Sequence, residues 1–354
     1  SATGGSGTGA LTFVSNTGVC QIASSILTPV SAGTCVVTYT RAADTNYTVQ
    51  TASQSISIAY ADQAAVSFSS ASTVQYGTNL TLGAQGGSGT GAYEFAKVGT
   101  GPCTISGTTL TPTAAGDCVV KTRRAGDSGY NVSAWSADTT ITITKKPLTV
   151  VVTPTPNSRE YNGSTAVTLG TLSAANLTGV VGSDVVTVDN SKISATVADA
   201  TVGVNKAVTT VISSGFLGGT NAGNYFEPTV SNSPTLTITL ATQGTVSMTS
   251  ATTFVYGSTL ALTASGGNGT GAYEYSVVSG NCSISGDALT ASGVDTCVVK
   301  SRRVGDASYS TSAWSANQSI SVTPKPLTLA VTVSPSSRAY DGTRTVTLAS
   351  TTAA

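Results

Sequence analysis

Along this chain, apolar and polar residues alternate in short runs separated by clusters of glycine, serine, threonine and asparagine. Val66 to Ser69, Ala92 to Val98, Cys103 to Ser106, Asp117 to Arg123 and Thr139 to Thr144 each follow this alternation. Successive side chains of a strand point to opposite faces, so a period of two predicts strands with one face buried. Lys146 to Val152, Val185 to Val188, Val208 to Ile212 and Thr235 to Leu240 read the same way. No stretch of useful length carries the helical period. Short strands with turn signals every 8 to 12 positions or so predict an all-β chain of antiparallel β-sandwiches.

The pattern recurs. Cys20 and Cys35, Cys103 and Cys118, and Cys282 and Cys297 are each 15 residues apart, and the last two pairs are separated by 179 residues. The same step carries Ala134-Trp135-Ser136 onto Ala313-Trp314-Ser315, and Lys146-Pro147-Leu148 onto Lys325-Pro326-Leu327. A period on this scale marks an array of small domains. Two module types alternate, a cysteine-bearing module A and a second module B. The expected organisation is a partial A at 1–62, A at 63–145, B at 146–242, A at 243–324 and a partial B at 325–354.

Ser1 to Ala10 align with the middle of a module, and the last 30 residues align with the start of one. The chain is therefore expected to be a window from a longer polypeptide, with any targeting signal outside it. The first A lacks a counterpart of the strand at Val66 to Ser69. Lys146-Pro147-Leu148 continue the last strand of the preceding A with almost no linker, so an elongated rod is expected rather than beads on a string.

Composition narrows the chemistry. The 354 residues are 40% hydrophobic but only 9% charged, with 38 glycines and a net charge of zero. No global field exists to attract nucleic acid or a membrane surface. Histidine is absent, which removes the commonest general base and metal ligand, so a Ser-His-Asp or Cys-His site is excluded. No apolar run approaches the roughly 18 residues that span a bilayer.

Six cysteines in three evenly spaced pairs, without histidine, read as disulfides Cys20–Cys35, Cys103–Cys118 and Cys282–Cys297. Zinc needs about four ligands and each module offers two cysteines. Closing such a loop is worth about 3 kcal/mol in the chain-entropy model, and an oxidising, extracellular location follows. Cys103 and Cys118 begin the first and third strands of a short meander. Those strands would lie about 10 Å apart in one flat sheet, too far for a disulfide. They are expected to face each other across the sandwich, or to meet where strands converge.

The densest charge is Lys121-Thr122-Arg123-Arg124, repeated as Lys300-Ser301-Arg302-Arg303. With Cys118 and Val120 inward, Lys121 and Arg123 face outward, as does Glu94. In the first A, Thr12, Thr38, Thr40 and Ala52 replace the glutamate, the two cations and the tryptophan together. Concerted replacement predicts one surface patch per full copy: Glu94, Lys121, Arg123 and Trp135, and likewise Glu274, Lys300, Arg302 and Trp314. Two readings stay open. The patch is either a cross-strand ion pair with an aromatic stacked on arginine, or a contact site for a neighbouring domain, another chain or a sugar.

Other motifs read as structural. Gly86 to Gly91 and Gly266 to Gly271 lack the lysine and helix of a phosphate loop, and read as hairpin turns. Arg124 with Asp127, Arg303 with Asp306 and Arg41 with Asp44 read as pairs that lock a turn. Eight Asn-x-Ser/Thr sequons, Asn46, Asn79, Asn131 and Asn268 among them, read as chance in so Ser/Thr-rich a chain. Asp184, Asp189 and Asp199 are too dispersed for calcium. Lys192 and Lys206 are the candidates for an isopeptide crosslink, were a buried acid and asparagine beside them.

At these residues the chain resembles two repeat families of very large bacterial surface proteins. Module B is similar to the YDG-type repeat, through Tyr340-Asp341-Gly342-Thr343, Gly182-Ser183-Asp184-Val185, Val202-Gly203-Val204-Asn205-Lys206 and Ala222-Gly223-Asn224-Tyr225. Its first copy departs at Asn162 of Tyr161-Asn162-Gly163-Ser164, where the family has aspartate. Module A resembles the MBG-type Ig-like repeat, through Tyr76-Gly77, the Cys103 and Cys118 pair, and Arg124 to Tyr130. The resemblance implies a tandem array of Ig-like sandwiches in an exported adhesin or filamentous haemagglutinin-like protein, with no catalytic residue to carry over.

The expected function is a non-enzymatic extracellular structural stalk or fibre segment of a bacterial adhesin-like surface protein, without catalytic, cofactor or metal site. Its partners are neighbouring repeats, or other copies in a fibre. The alternative is that the repeats themselves bind a glycan or a cell surface.

Overall fold

The computed structural model describes residues 2–15, 18–329, 337, 339–340 and 342–344. These fall into two compact units. One comprises 1–152, 171–194 and 211–232, the other 153–170, 195–210 and 233–354. The division passes through module B, so each unit holds part of it. Most of the partial B expected at 325–354, its Asp341 included, lies outside the described residues.

The described chain is a succession of short strands with three single helical turns, at Ala174–Asn176, Asn190–Lys192 and Ala222–Asn224. None of its helices is long and apolar enough to cross a membrane. In the second A, Tyr93–Val98, Gly116–Arg124, Thr139–Thr144 and Thr73–Gln75 form one sheet in that order, and Cys103–Ser106, Thr109–Pro112 and Leu80–Thr81 another. Val66–Phe68 pairs with Ala84–Gly86. The third A repeats the plan, with Tyr273–Ser279, Thr296–Arg303, Gln318–Thr323 and Thr253–Val255 in its larger sheet. Within these A-module sheets the pairing is antiparallel except where Thr73–Gln75 joins Thr139–Thr144, and Thr253–Val255 joins Gln318–Thr323, in parallel.

The alternation predicted these strands because it is the burial pattern. Along Gly116–Arg124, Cys118, Val120 and Thr122 are buried while Val119, Lys121 and Arg123 are partly exposed. Leu110, Cys118, Val120 and Ile141 are all at most 1% exposed, each aliphatic side chain worth about 1.5–3 kcal/mol of burial. Phe254, Leu262, Leu289, Val299 and Ile320 form the matching core of the third A.

Cys103 and Cys118 lie in different sheets, and their disulfide ties the sheets together at a Cα separation of 6.0 Å. Cys282–Cys297 repeats this at 6.0 Å, and Cys20–Cys35 at 5.8 Å. No free cysteine remains among the described residues.

The first A has Leu11–Ser15, Gly33–Arg41 and Gln50–Ile58 in one sheet and a hairpin of Cys20–Ala23 with Ile26–Pro29. Phe13, Ile22 and Leu27 pack on its Cys20, Cys35 and Val37 core. They also line an open groove of about 560 Å³.

In module B, Leu177–Thr178, Thr149–Val150 and Thr229–Val230 form a small sheet within the first unit. In the second unit, Ala195, Val197, Val208, Leu236 and Ile238 make a core packed by Tyr161, Val167 and Leu169. The strand expected over Lys146 to Val152 is shorter than its apolar run, covering Thr149–Val150 alone. Leu148 and Val152 are nonetheless buried beside it. At Tyr161-Asn162-Gly163-Ser164 the Asn162 Oδ1 accepts from the Ser164 amide at 3.0 Å, as an aspartate would.

Two expectations about the glycine runs are corrected. Gly86 to Gly91 is not a hairpin turn, because Ala84–Gly86 and Tyr93–Val98, on its two sides, pair with different strands. It is a crossover between sheets. Arg124 and Asp127 do not pair with each other, since among the described residues the ion pairs are Arg123–Glu94, Lys206–Asp199 and Arg302–Glu274. Both side chains instead hold the crossover.

Candidate functional site

The patch expected from concerted replacement is assembled. Antiparallel pairing sets Glu94 opposite Arg123, and Arg123 Nε donates to Glu94 Oε2 at 2.6 Å. The Arg123 guanidinium lies 4.5 Å from the centroid of the Trp135 ring, and the Lys121 ammonium 5.0 Å. Local hydrogen bonds place the tryptophan. Ser133 and Ser136 accept through their hydroxyls from the amides of Arg124 and Thr122, taking bonds a strand would make with its backbone. Residues 131–138 thereby leave the sheet, and Trp135 folds over the strand face.

The third A reproduces the arrangement. Arg302 Nε donates to Glu274 at 2.7 Å, and Arg302 and Lys300 sit 4.6 and 4.9 Å from the Trp314 ring. The first A, with Gln50 at the position of Ser133, pairs its last strand without interruption from Gln50 to Ile58. Beneath the patch Thr122 is fully buried, and its hydroxyl donates to the Glu94 carbonyl at 3.0 Å. That polar anchor was not anticipated. Each ion pair is part-exposed and worth about 0.2–1 kcal/mol, each exposed cation–π contact about 0.5–1 kcal/mol. Trp135 and Trp314 are both 36% exposed.

The glycine crossovers are held by a second constellation. Arg124 donates to the Gly91 carbonyl at 2.9 Å and the Gly86 carbonyl at 3.0 Å, with its guanidinium 4.9 Å from the Tyr93 ring. Asp127 accepts from the Thr90 amide and hydroxyl with one oxygen, and from the Gly129 and Tyr130 amides with the other. These donors, the Thr90 amide foremost, hold its carboxyl at about 2. Asp306 is likewise held at about 2, chiefly by the Thr270 amide, and Asp44 is lowered, chiefly by the Asn46 amide. Gly86 and Gly87 have φ of 89° and 73°, a region costly for other residues.

The same loops dock neighbouring modules. In the first unit, the Ala61 amide donates to the Gly129 carbonyl, and the Asn131 amide to the Ala61 carbonyl, both at 2.9 Å. Within the second A, Gln63 braces the same loop through bonds to the Ala125 and Asn131 carbonyls, both at 2.9 Å. In the second unit, Ala241 bonds to Ser308 and Ser310 in the same way, and Gln243 donates to the Ser310 carbonyl at 2.9 Å. There the Tyr161 ring meets the Tyr309 ring edge-on at 5.7 Å. Sequence reasoning missed both glutamines, although each stands three residues before the opening strand of its module, at Val66 and Val246.

The A-to-B joint, also within the first unit, is built from resemblance motifs. Tyr76 donates to both oxygens of Asp184, at 2.9 and 3.1 Å, and Tyr225 donates to the same carboxylate. The two rings meet edge-on at 5.7 Å. Asn224 accepts from the Ala115 amide through its side chain and from the Lys146 amide through its backbone, both at 2.9 Å. Burial, and then the Asp184 carboxylate, push both phenols above their usual value of 10.0.

The aspartates weighed for calcium are thus spoken for. Asp184 serves the joint, Asp189 caps a helical turn through Ser191, and Asp199 accepts from Lys206. No cluster of three or more metal-ligating side chains occurs among the described residues. Lys206 is joined to a part-exposed Asp199, not to a buried acid and asparagine.

No curated protein matches the chain. Among solved structures it is similar to Drosophila N-cadherin EC1-4, at 10% identity and a TM-score of 0.28, covering 90% of this chain and 93% of that one. It is also similar to surface layer protein SbsC, domains 4-9, at 15% identity and a TM-score of 0.17, covering 91% of this chain but 40% of that one. A family model, the YDG domain, matches residues 144–232. Residues 144–232 are therefore a YDG domain, and it is this domain that supplies Asp184, Asn224 and Tyr225 to the joint.

Proposed function

We propose that this chain is a non-enzymatic structural segment of a larger bacterial, adhesin-like surface protein, giving it reach and spacing outside the cell. In this reading module A is an MBG-type repeat that alternates with the YDG domain. The observation that carries it is the construction of the joints. At Ala61 and at Ala241 matching backbone hydrogen bonds, and at Asp184 side-chain hydrogen bonds, seat one module on the next with no spacer between. Docking of this kind restricts hinge motion, as a stiff stalk requires. The three disulfides fit an oxidising compartment.

Small-angle scattering on the whole chain tests the reading. A stalk segment gives a maximum dimension far above that of a globule of equal mass, and a compact particle rejects it. A second reading is favoured by the matching geometry of the Trp135 and Trp314 patches, a ring platform of the kind that holds a sugar. A glycan array separates the two. Binding lost in Trp135→Ala with Trp314→Ala supports the adhesive reading, and no binding leaves the stalk.

A further inference from the structure

The third A ends in an unfilled copy of the joint that the second A makes with the YDG domain. Tyr256-Gly257 corresponds to Tyr76-Gly77, Val294 to Ala115, and Leu327 to Leu148. Tyr76 is 5% exposed against 39% for Tyr256, and Leu148 1% against 83% for Leu327. Val294 is 55% exposed, and its counterpart Ala115 donates its amide to Asn224. A Cβ added at Gly77 would come within 2.5 Å of Val181, whereas one at Gly257 would meet nothing. The backbones agree, with φ of 80° at Gly77 and 81° at Gly257. Among the described residues one corner is covered and the other open, with the same backbone turn at its glycine.

We infer that the Tyr256-Gly257 corner, with the Val294 amide, is a docking socket for a YDG-type module. The tyrosine hydroxyl takes the carboxylate of the module's Gly-Ser-Asp loop, and the amide takes the side-chain carbonyl of its Ala-Gly-Asn-Tyr turn. The occupant follows from the established joint, where Asp184 and Asn224 fill these two roles. It follows also from residues 325–354, whose sequence follows the third A and aligns without a gap on 146–175 at the start of module B. The amide end is adaptable. In the first A, the equivalent Ala32 amide donates instead to the Ser128 carbonyl of the next A. The aromatic corner is what marks the socket for a YDG-type partner. This inference stands apart from the stalk reading, since a glycan-binding array would need the same joint.

The test continues the 354-residue chain with its own residues 176–242, since Ala354 minus the 179-residue step is Ala175. Tyrosine nitration is then mapped by mass spectrometry in the original and extended chains. Tyr256 is expected to be modified readily in the original and at least several-fold more slowly in the extended chain, approaching the protection of Tyr76 in both. Replacing the appended copy of Asp184 by alanine should restore much of the modification. Equal modification of Tyr256 in the two chains would overturn the inference. So would an appended segment that stays protease-sensitive, because the socket is inferred to take a complete module of this sequence.

Discussion

Tyr76 and Asp184, 108 residues apart, are joined by one bifurcated hydrogen bond from the phenol hydroxyl to both oxygens of the carboxylate, at 2.9 and 3.1 Å. The bond crosses from module A into the YDG domain. Tyr225 donates to the same carboxylate while accepting from the Val181 amide at 2.8 Å.

Asp184→Ala should therefore loosen this joint more than Tyr76→Phe. The first leaves two buried hydroxyls without their acceptor, at about 1–3 kcal/mol for each group left unsatisfied. The second removes one donor and leaves Asp184 its bond from Tyr225, for about 1 kcal/mol. Denaturant unfolding of the two variants gives the comparison. The phenols add a pH signature. Their folded values are raised above 10.0, so their contribution is whole below that pH and is lost as pH climbs through the raised values.

Gly77→Ala and Gly257→Ala form a controlled pair. Both positions have positive φ, at 80° and 81°, so the backbone cost is shared. Only Gly77 faces a neighbour, Val181. The excess cost of Gly77→Ala should be about 1–3 kcal/mol, the price of overpacking, read as a difference in unfolding midpoint.

The crossover clasps should persist deep into acid. Asp127 and Asp306 are held at about 2 against an ordinary 3.8. A lowered folded value means that the stabilisation is present above the unfolded value and lost as pH falls through the folded one. Asp127→Asn should be less stable than the native chain at neutral pH. The gap should narrow as pH drops from about 4 toward 2, measured by denaturant unfolding at each pH.

Trp135→Ala should cost little, about 1–2 kcal/mol from two exposed cation–π contacts. The strand pairing at Glu94 and Arg123 should survive, since Thr122 anchors it from below. A loss above about 4 kcal/mol by thermal unfolding would show that the tryptophan is core rather than platform.

The strands of module A were legible where burial alternates along them, as in Gly116–Arg124. Cys103–Ser106 and Thr139–Thr144 fall where the pattern put them. The patch was legible because the first A supplies a natural quadruple replacement at Thr12, Thr38, Thr40 and Ala52. The glycine crossovers were misread because a hairpin and a sheet-to-sheet crossing need the same positive-φ residues. Which one forms depends on strand partners that are remote in sequence. Arg124 and Asp127 invited pairing by proximity and opposite charge, yet unpaired carbonyls and amides of the crossover compete for both. The joints were least legible. Tyr76 and Asp184 share no local period, and nothing near either residue announces the other.

The central claim is that successive modules are docked through hydrogen bonds rather than tethered. Native-state hydrogen exchange reads it most directly, at the amides of Asn131, Ala115, Ala241 and Ser310, which donate across the joints. The account predicts that these amides exchange as slowly as strand amides of the adjoining modules, and that Asp184→Ala selectively speeds Ala115. Exchange of all four at the rate of free amides, with the strands still protected, would contradict it.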